Sequence, residues 1–97
     1  MVEESKPKYS ALGFVMVVAS PGRDKEVYEA LKKFQYENTQ VNSVNAVLGY
    51  VDLVVEISAK DNQVLGDCVS KGIRNIPGVA DTKTLCGICL DKSGTKQ

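Results

Sequence analysis

Val47-Leu48-Gly49-Tyr50-Val51-Asp52-Leu53-Val54-Val55 is the stretch whose reading decides the fold. A glycine between two apolar, β-branched runs permits a positive φ and a close backbone approach, so the segment reads as two strands joined by a tight hairpin. Its main-chain groups would lie open to a small ligand. About two dozen residues later Asn75-Ile76-Pro77-Gly78-Val79 answers it, ending a helix with a Pro-Gly turn and opening another strand. Pro77-Gly78 is a helix stop in this reading and not a contact site.

Working outward, Leu12 to Ala19 is almost wholly apolar, as a strand buried on both faces would be, and Ser20-Pro21-Gly22 stops it. The spacing then predicts a helix from Asp24 to Tyr36. Val27, Ala30, Leu31 and Phe34 make its inner stripe, and Glu29 and Lys33 are placed to pair on the wet side. Val41 to Leu48 and Tyr50 to Ala59 are the hairpin strands. Asp61 is a good N-cap for a second helix with Leu65, Cys68, Val69, Ile73 and Ile76 inward. Gly72 falls inside that helix at a cost of ~1 kcal/mol relative to alanine, which marks either close packing or drift. Val79 to Leu90 closes the pattern.

The order β-α-β-β-α-β is the ferredoxin-like split βαβ, an α+β fold in which right-handed crossovers set two helices on one face of a four-stranded antiparallel sheet. A faint echo between Gly13-Phe14-Val15-Met16-Val17-Val18 and Gly49-Tyr50-Val51-Asp52-Leu53-Val54 suits two superposed βαβ halves. Residues 10–90 form the domain, and the polar, aperiodic segments 1–9 and 91–97 read as flexible tails.

Helices cover only one face of a sheet. The strands nonetheless carry apolar side chains at both alternations: Phe14, Met16 and Val18 against Val15, Val17 and Ala19, and Val51, Leu53, Val55 and Ile57 against Val54. The second face therefore expects a cover, and the same face of another copy supplies one, giving a sheet-on-sheet homodimer, a dimeric α+β barrel.

Composition excludes several function classes. Twelve basic and twelve acidic side chains in 97 residues cancel and are interleaved, so no stripe neutralises a run of phosphates and direct nucleic-acid binding is not expected. No apolar run approaches the ~20 residues of a bilayer span, and Glu3, Glu4 and Lys6 stand where a secretory signal would be hydrophobic, so the chain reads as cytoplasmic. There is no histidine and no clustered pair of carboxylates, which leaves no catalytic residue, metal site or cofactor to assign.

Three cysteines fit reduced thiols better than a disulfide framework. Cys68 reads as a small buried hydrophobe. Cys86-Gly87-Ile88-Cys89 has redox spacing, but on a strand its cysteines lie ~10 Å apart and point to opposite faces. A bridge requires Cα atoms within ~7 Å. With no second CxxC and no histidine, a zinc site is not completed either.

From Phe14 to Leu90 the chain resembles the effector-binding domain of the Lrp/AsnC regulators, the regulation-of-amino-acid-metabolism domain. The resemblance is carried by Ser20-Pro21-Gly22 before a helix containing Glu29-Ala30-Leu31, by the hairpin Val47 to Leu53, by Lys60-Asp61 opening the second helix, and by Arg74-Asn75-Ile76-Pro77-Gly78-Val79 leading to Asp81-Thr82-Lys83-Thr84-Leu85. The family commonly has threonine before the hairpin glycine and an aromatic before the aspartate. Here Leu48 and Val51 hold those places, with the aromatic displaced to Tyr50.

Members usually carry an N-terminal helix-turn-helix, and a first strand near residue 12 leaves no room for one, so the resemblance implies a stand-alone sensing domain. It also implies homodimers that assemble into rings, with an amino acid held between dimers near the hairpin glycine. Carried over by position, Gly49 and Asp52 match the hairpin motif, and Thr82 and Thr84 match threonines of the last strand. Tyr50 is either a ligand contact or an interface anchor, and Asp52 either meets the ligand or caps the hairpin. The implied function is amino-acid sensing and oligomerisation that modulates transcription or metabolism through partner proteins. The alternatives are a ligand-free adaptor that assembles full-length Lrp/AsnC regulators, or a small dimeric α+β barrel enzyme.

Overall fold

A computed structural model describes residues 9–88. Strand β1 (Ala11–Ala19) runs at the centre of a four-stranded antiparallel sheet ordered β2-β3-β1-β4. The others are β2 (Thr39–Ala46), β3 (Leu53–Ala59) and β4 (Val79–Ile88), with helices α1 (Asp24–Lys32) and α2 (Asn62–Asp67) in the two crossovers. This is the expected α+β, ferredoxin-like order. Apart from Tyr9, the segments expected to be tails lie outside the described residues, as do Cys89 and Leu90.

Alternation along the central strands sets the two layers. Ala11, Val15, Val17 and Ala19 of β1 and Leu53, Val55, Ile57 and Ala59 of β3 are buried, joined by Val27 and Leu31 of α1 and by Leu65, Cys68, Val69 and Ile73. Leu12, Phe14, Met16 and Val18 point the other way and are only half-buried, beside Val54 of β3 and Leu85 of β4, which pairs with Phe14 and is 58% exposed. The sheet thus has one dry face and one open face, apolar along β1 and bordered by Glu56 and Ser58 of β3 and by Asp81 and Lys83 of β4.

Helix α1 stops at Lys32, four residues short of Tyr36. Lys33 and Phe34 donate back to Ala30 and Leu31 at 3.2 Å, a tightened last turn, and the chain then reverses through Asn38 at φ 62. Tertiary packing overrides the helical period here. The rings of Phe34 and Tyr36 stack, 6.5 Å apart at 9°, against Gly72, where a Cβ would stand 2.6 Å from Phe34 Cζ. Gly72 is therefore a close-packing residue. Because the helix ends early, Glu29 and Lys33 form no ion pair. Among the described residues the ion pairs are Arg23–Glu26 at 2.6 Å and Asp67–Lys71 at 3.9 Å.

Asp61 caps α2 as expected, its Oδ1 accepting from the Val64 N–H at 2.8 Å. The predicted single helix is three pieces: α2 passes into a π turn over Cys68–Gly72 and a 3₁₀ turn over Ile73–Asn75. The inner stripe survives the change. Gly78, at φ +98, then ends the segment, and its carbonyl accepts from Ser20 N–H at 2.7 Å.

The hairpin is wider than expected. Strand β2 ends at Ala46 and β3 begins at Leu53, so Val47 to Asp52 form a loop in place of a turn at Gly49 alone. Leu48 and Tyr50 have no core to face, and pairing them would bury nothing. The internal echo does not mark equivalent positions either: Gly13 lies buried within β1 beneath Leu65, whereas Gly49 lies exposed in a loop.

Candidate functional site

The β2–β3 loop is built on Asp52. Its carbonyl accepts from Val47 N–H at 2.9 Å, closing the loop, and its own N–H donates to Val17 C=O at 2.9 Å. Oδ2 accepts from Ala19 N–H at 2.8 Å, extending the β1–β3 ladder beyond its last backbone pair, Val17 with Leu53. Asp52 is thus half-buried and acts as a clasp between the loop and the end of β1. Its other oxygen, Oδ1, accepts no hydrogen bond among the described residues.

Beyond the clasp the loop projects into solvent. Gly49 has φ +137, a conformation that side-chain-bearing residues rarely adopt, with no atom within 4 Å of where a Cβ would stand. Leu48 and Tyr50 flank it at 103% and 102% exposure. Two large apolar side chains on one loop tip are an interaction feature in a chain whose other large apolar residues are mostly packed. Sequence reading singled out Tyr50 but passed over Leu48. The available signal was the pair of bulky residues at i and i+2 about a glycine, neither matched to a helix stripe.

Two clefts flank the loop. One, of about 420 Å³, opens on the uncovered sheet face and is lined by Met16, Val18, Tyr50, Val51, Asp81, Thr82 and Lys83. The other, of about 550 Å³, lies between α1 and the loop base, with Asp24, Lys25, Tyr28 and Asp52 as its polar groups and Val44, Val47 and Leu53 among its walls. The five candidate residues divide accordingly. Tyr50 and Thr82 share the first cleft, Asp52 belongs to the second, and Gly49 and Thr84 line neither. Thr82 and Thr84 pair with Val17 and Val15 and are half-buried. Asp24, Lys25 and Tyr28 escaped sequence reading, because nothing local ties the first turns of α1 to a hairpin twenty residues on.

The described cysteines carry no site. Cys68 is buried, and burial pushes its thiol above the ordinary range, partly opposed by a hydrogen bond with Thr39. Cys86 is an exposed thiol on β4, and its sequence partner Cys89 lies outside the described residues. Among the described residues no three His, Cys, Asp or Glu side chains converge to hold a metal ion, and no helix is long and apolar enough to cross a membrane.

Central antiparallel sheet, two helices on one face and a projecting glycine loop define an α+β domain of the ferredoxin-like class. Residues 12–88 match the Lrp/AsnC ligand binding domain, and the chain belongs to that family. Its members are transcriptional regulators and not enzymes. A helix-turn-helix-type transcriptional regulator of Pyrococcus horikoshii is 29% identical over 84 residues, which are 87% of this chain and 51% of that protein. The chain therefore spans about half the length of this curated relative. A solved Thermus thermophilus protein is 29% identical with a TM-score of 0.72, the match covering 89% of this chain and 99% of that one. A transcriptional regulator of Neisseria meningitidis, solved as an L-Met complex, shares the fold with a TM-score of 0.72 at 16% identity, over 98% of this chain and 59% of that one.

Proposed function

We propose that this chain is a cytoplasmic amino-acid-sensing and oligomerisation module that modulates transcription or metabolism through partner proteins. The observation that carries the reading is the loop from Val47 to Asp52: exposed main chain beside Gly49 at φ +137, set next to a half-buried carboxylate with one oxygen committed to Ala19 and the other open. A free amino acid requires such a pair of features. Backbone N–H groups take its carboxylate, a fixed anion takes its ammonium, and apolar walls select its side chain. The Lrp/AsnC ligand binding domain match and the L-Met complex of the Neisseria relative support the same ligand class.

Because Tyr50 and Thr82 lie in one cleft and Asp52 in another, the five residues meet a single ligand only where two copies come together. Effector binding is then coupled to assembly, since a ligand held between copies stabilises the assembled state. The open face of Phe14, Met16, Val18 and Leu85 supplies the homodimer contact, and the Leu48–Tyr50 tips supply contacts between dimers in a ring.

A second reading has its own observation. Asp52 is already occupied as a clasp, and the Leu48–Tyr50 tip is fully exposed, which suits an adaptor that binds no metabolite and joins full-length Lrp/AsnC regulators. A thermal-shift screen against the twenty amino acids, followed by calorimetric titration, separates the two. A sensor is stabilised by one or a few of them through mass action, whereas an adaptor is stabilised by none.

A further inference from the structure

We infer that the cleft between α1 and the loop base is the side-chain pocket of the effector site, with Asp24 and Lys25 as its specificity-determining residues. The ligand class it selects is an amino acid ending in a carboxamide, glutamine or asparagine. The inference rests on the amino-acid-sensing reading and names the residues and the end group that reading leaves open. Asp52 fixes the way in. It lines this cleft, and its uncommitted oxygen is the acceptor for the ligand's ammonium, so the α-carbon sits at the cleft's mouth. Inward is where the ligand's alkyl stem finds the apolar walls of Val47 and Leu53.

The far wall of the cleft is α1. Four charged residues stand at the start of that helix, and two of them, Arg23 and Glu26, pair with each other at 2.6 Å. Asp24 and Lys25 line the cleft and hold no hydrogen bond or ion pair among the described residues. Consecutive side chains diverge by about 100° around a helix, so these two opposite charges do not satisfy each other. Tyr28 lies one turn further on, four positions from Asp24 and three from Lys25, hence on the same side as both. Its ring is steadied by Lys32 Nζ, 5.6 Å from the centroid. The cleft thus presents an unanswered donor and an unanswered acceptor side by side. A carboxamide answers both, its carbonyl accepting from the Lys25 ammonium and its N–H donating to the Asp24 carboxylate. Glutamate would bring a carboxylate against Asp24, and lysine an ammonium against Lys25, so each gains one contact and meets one repulsion. An apolar side chain answers neither charge.

Calorimetric titration of the full chain tests the inference, with L-glutamine and L-asparagine set against L-glutamate, L-lysine and L-methionine. One of the two amides should bind about tenfold tighter than each of the other three, and which amide it is fixes the stem length the cleft takes. Lys25→Met should weaken that amide about tenfold and raise the affinity for lysine, whereas Asp24→Asn should raise the affinity for glutamate. Both side chains are exposed, so circular dichroism spectra should stay at wild type. A change of preference is a readout that a merely structural role would not move. Tightest binding of glutamate, lysine or methionine by the wild type overturns the inference, as does the same ranking of ligands in wild type, Lys25→Met and Asp24→Asn. In either case the sensing reading stands, because an amino acid is bound. Binding of none of the twenty amino acids overturns both.

Discussion

The two faces of one sheet, made by the same strands, have different fates. On the helix side every second residue of β1 and β3 is closed off by α1 and by the segment from Leu65 to Ile73. On the other side, one residue along, Phe14, Met16, Val18 and Val54 remain half-exposed. Along β1 the two sets are equally apolar, so hydrophobicity alone does not tell which of its faces is core, whereas β3 already sets Glu56 and Ser58 on the open side. Burial is decided by which face the right-handed crossovers cover, and the leftover face becomes the place where a second copy can gain what the helices gained.

The comparison is sharpened most by placing a charge on each face. Val17→Lys or Val55→Lys puts an ammonium into fully buried sites, and the protein should fail to fold, a loss on the order of 3–5 kcal/mol. Met16→Lys, next door, should keep a wild-type far-ultraviolet spectrum and fall apart into monomers in sedimentation. Equal unfolding by both would show that the open face is packed within the single copy.

Gly72→Ala tests how closely the covered side is packed. Its new Cβ meets Phe34, so urea denaturation should show a loss of about 1–3 kcal/mol, relieved when Phe34 is shortened to leucine. At the seam between the faces, Asp52→Ala should cost about 1–2 kcal/mol, because the Ala19 N–H loses its acceptor. Asp52→Asn retains an acceptor and should spare stability, yet weaken an amino-acid hit by roughly 1.5–3 kcal/mol in calorimetry if the free oxygen meets the ammonium.

A smaller effect is expected from Cys68, which tests whether the covered face stays dry. Its folded-state thiol is raised by burial, so its share of stability is fully present below the thiol's ordinary range and is lost as pH rises through the raised value. Melting temperature should therefore decline on the alkaline side, and Cys68→Ala should lower the whole curve but flatten that limb. The smallest effect belongs to the exposed Arg23–Glu26 pair, which holds Glu26 below the usual carboxylate range through a hydrogen bond from Arg23. Its contribution is present above Glu26's unfolded value and lost as pH falls through the lowered one. Glu26→Gln should scarcely move the melting temperature at neutral pH and should remove that slight acid-side slope.

Much of this protein is determined by sequence alone, because its signals are local. The period-2 run of β1, the Asp61 cap, the inward set Leu65, Cys68, Val69 and Ile73, and the Pro77-Gly78 stop each depend on neighbours a few residues away. Their order suffices for the α+β topology and the family resemblance. The tertiary structure decided what depends on residues far apart in the chain. Helix α1 stops at Lys32 because Phe34 and Tyr36 are claimed by Gly72. Asp52 is a clasp because β1 brings Ala19 to it from 33 positions away. Thr82 and Asp52 line separate clefts because one opens on the uncovered face of the sheet and the other lies beside α1. Local preference is worth tenths of a kcal/mol per residue, and one packed ring or satisfied buried N–H outweighs it, so the ends of elements and the grouping of site residues are settled in three dimensions.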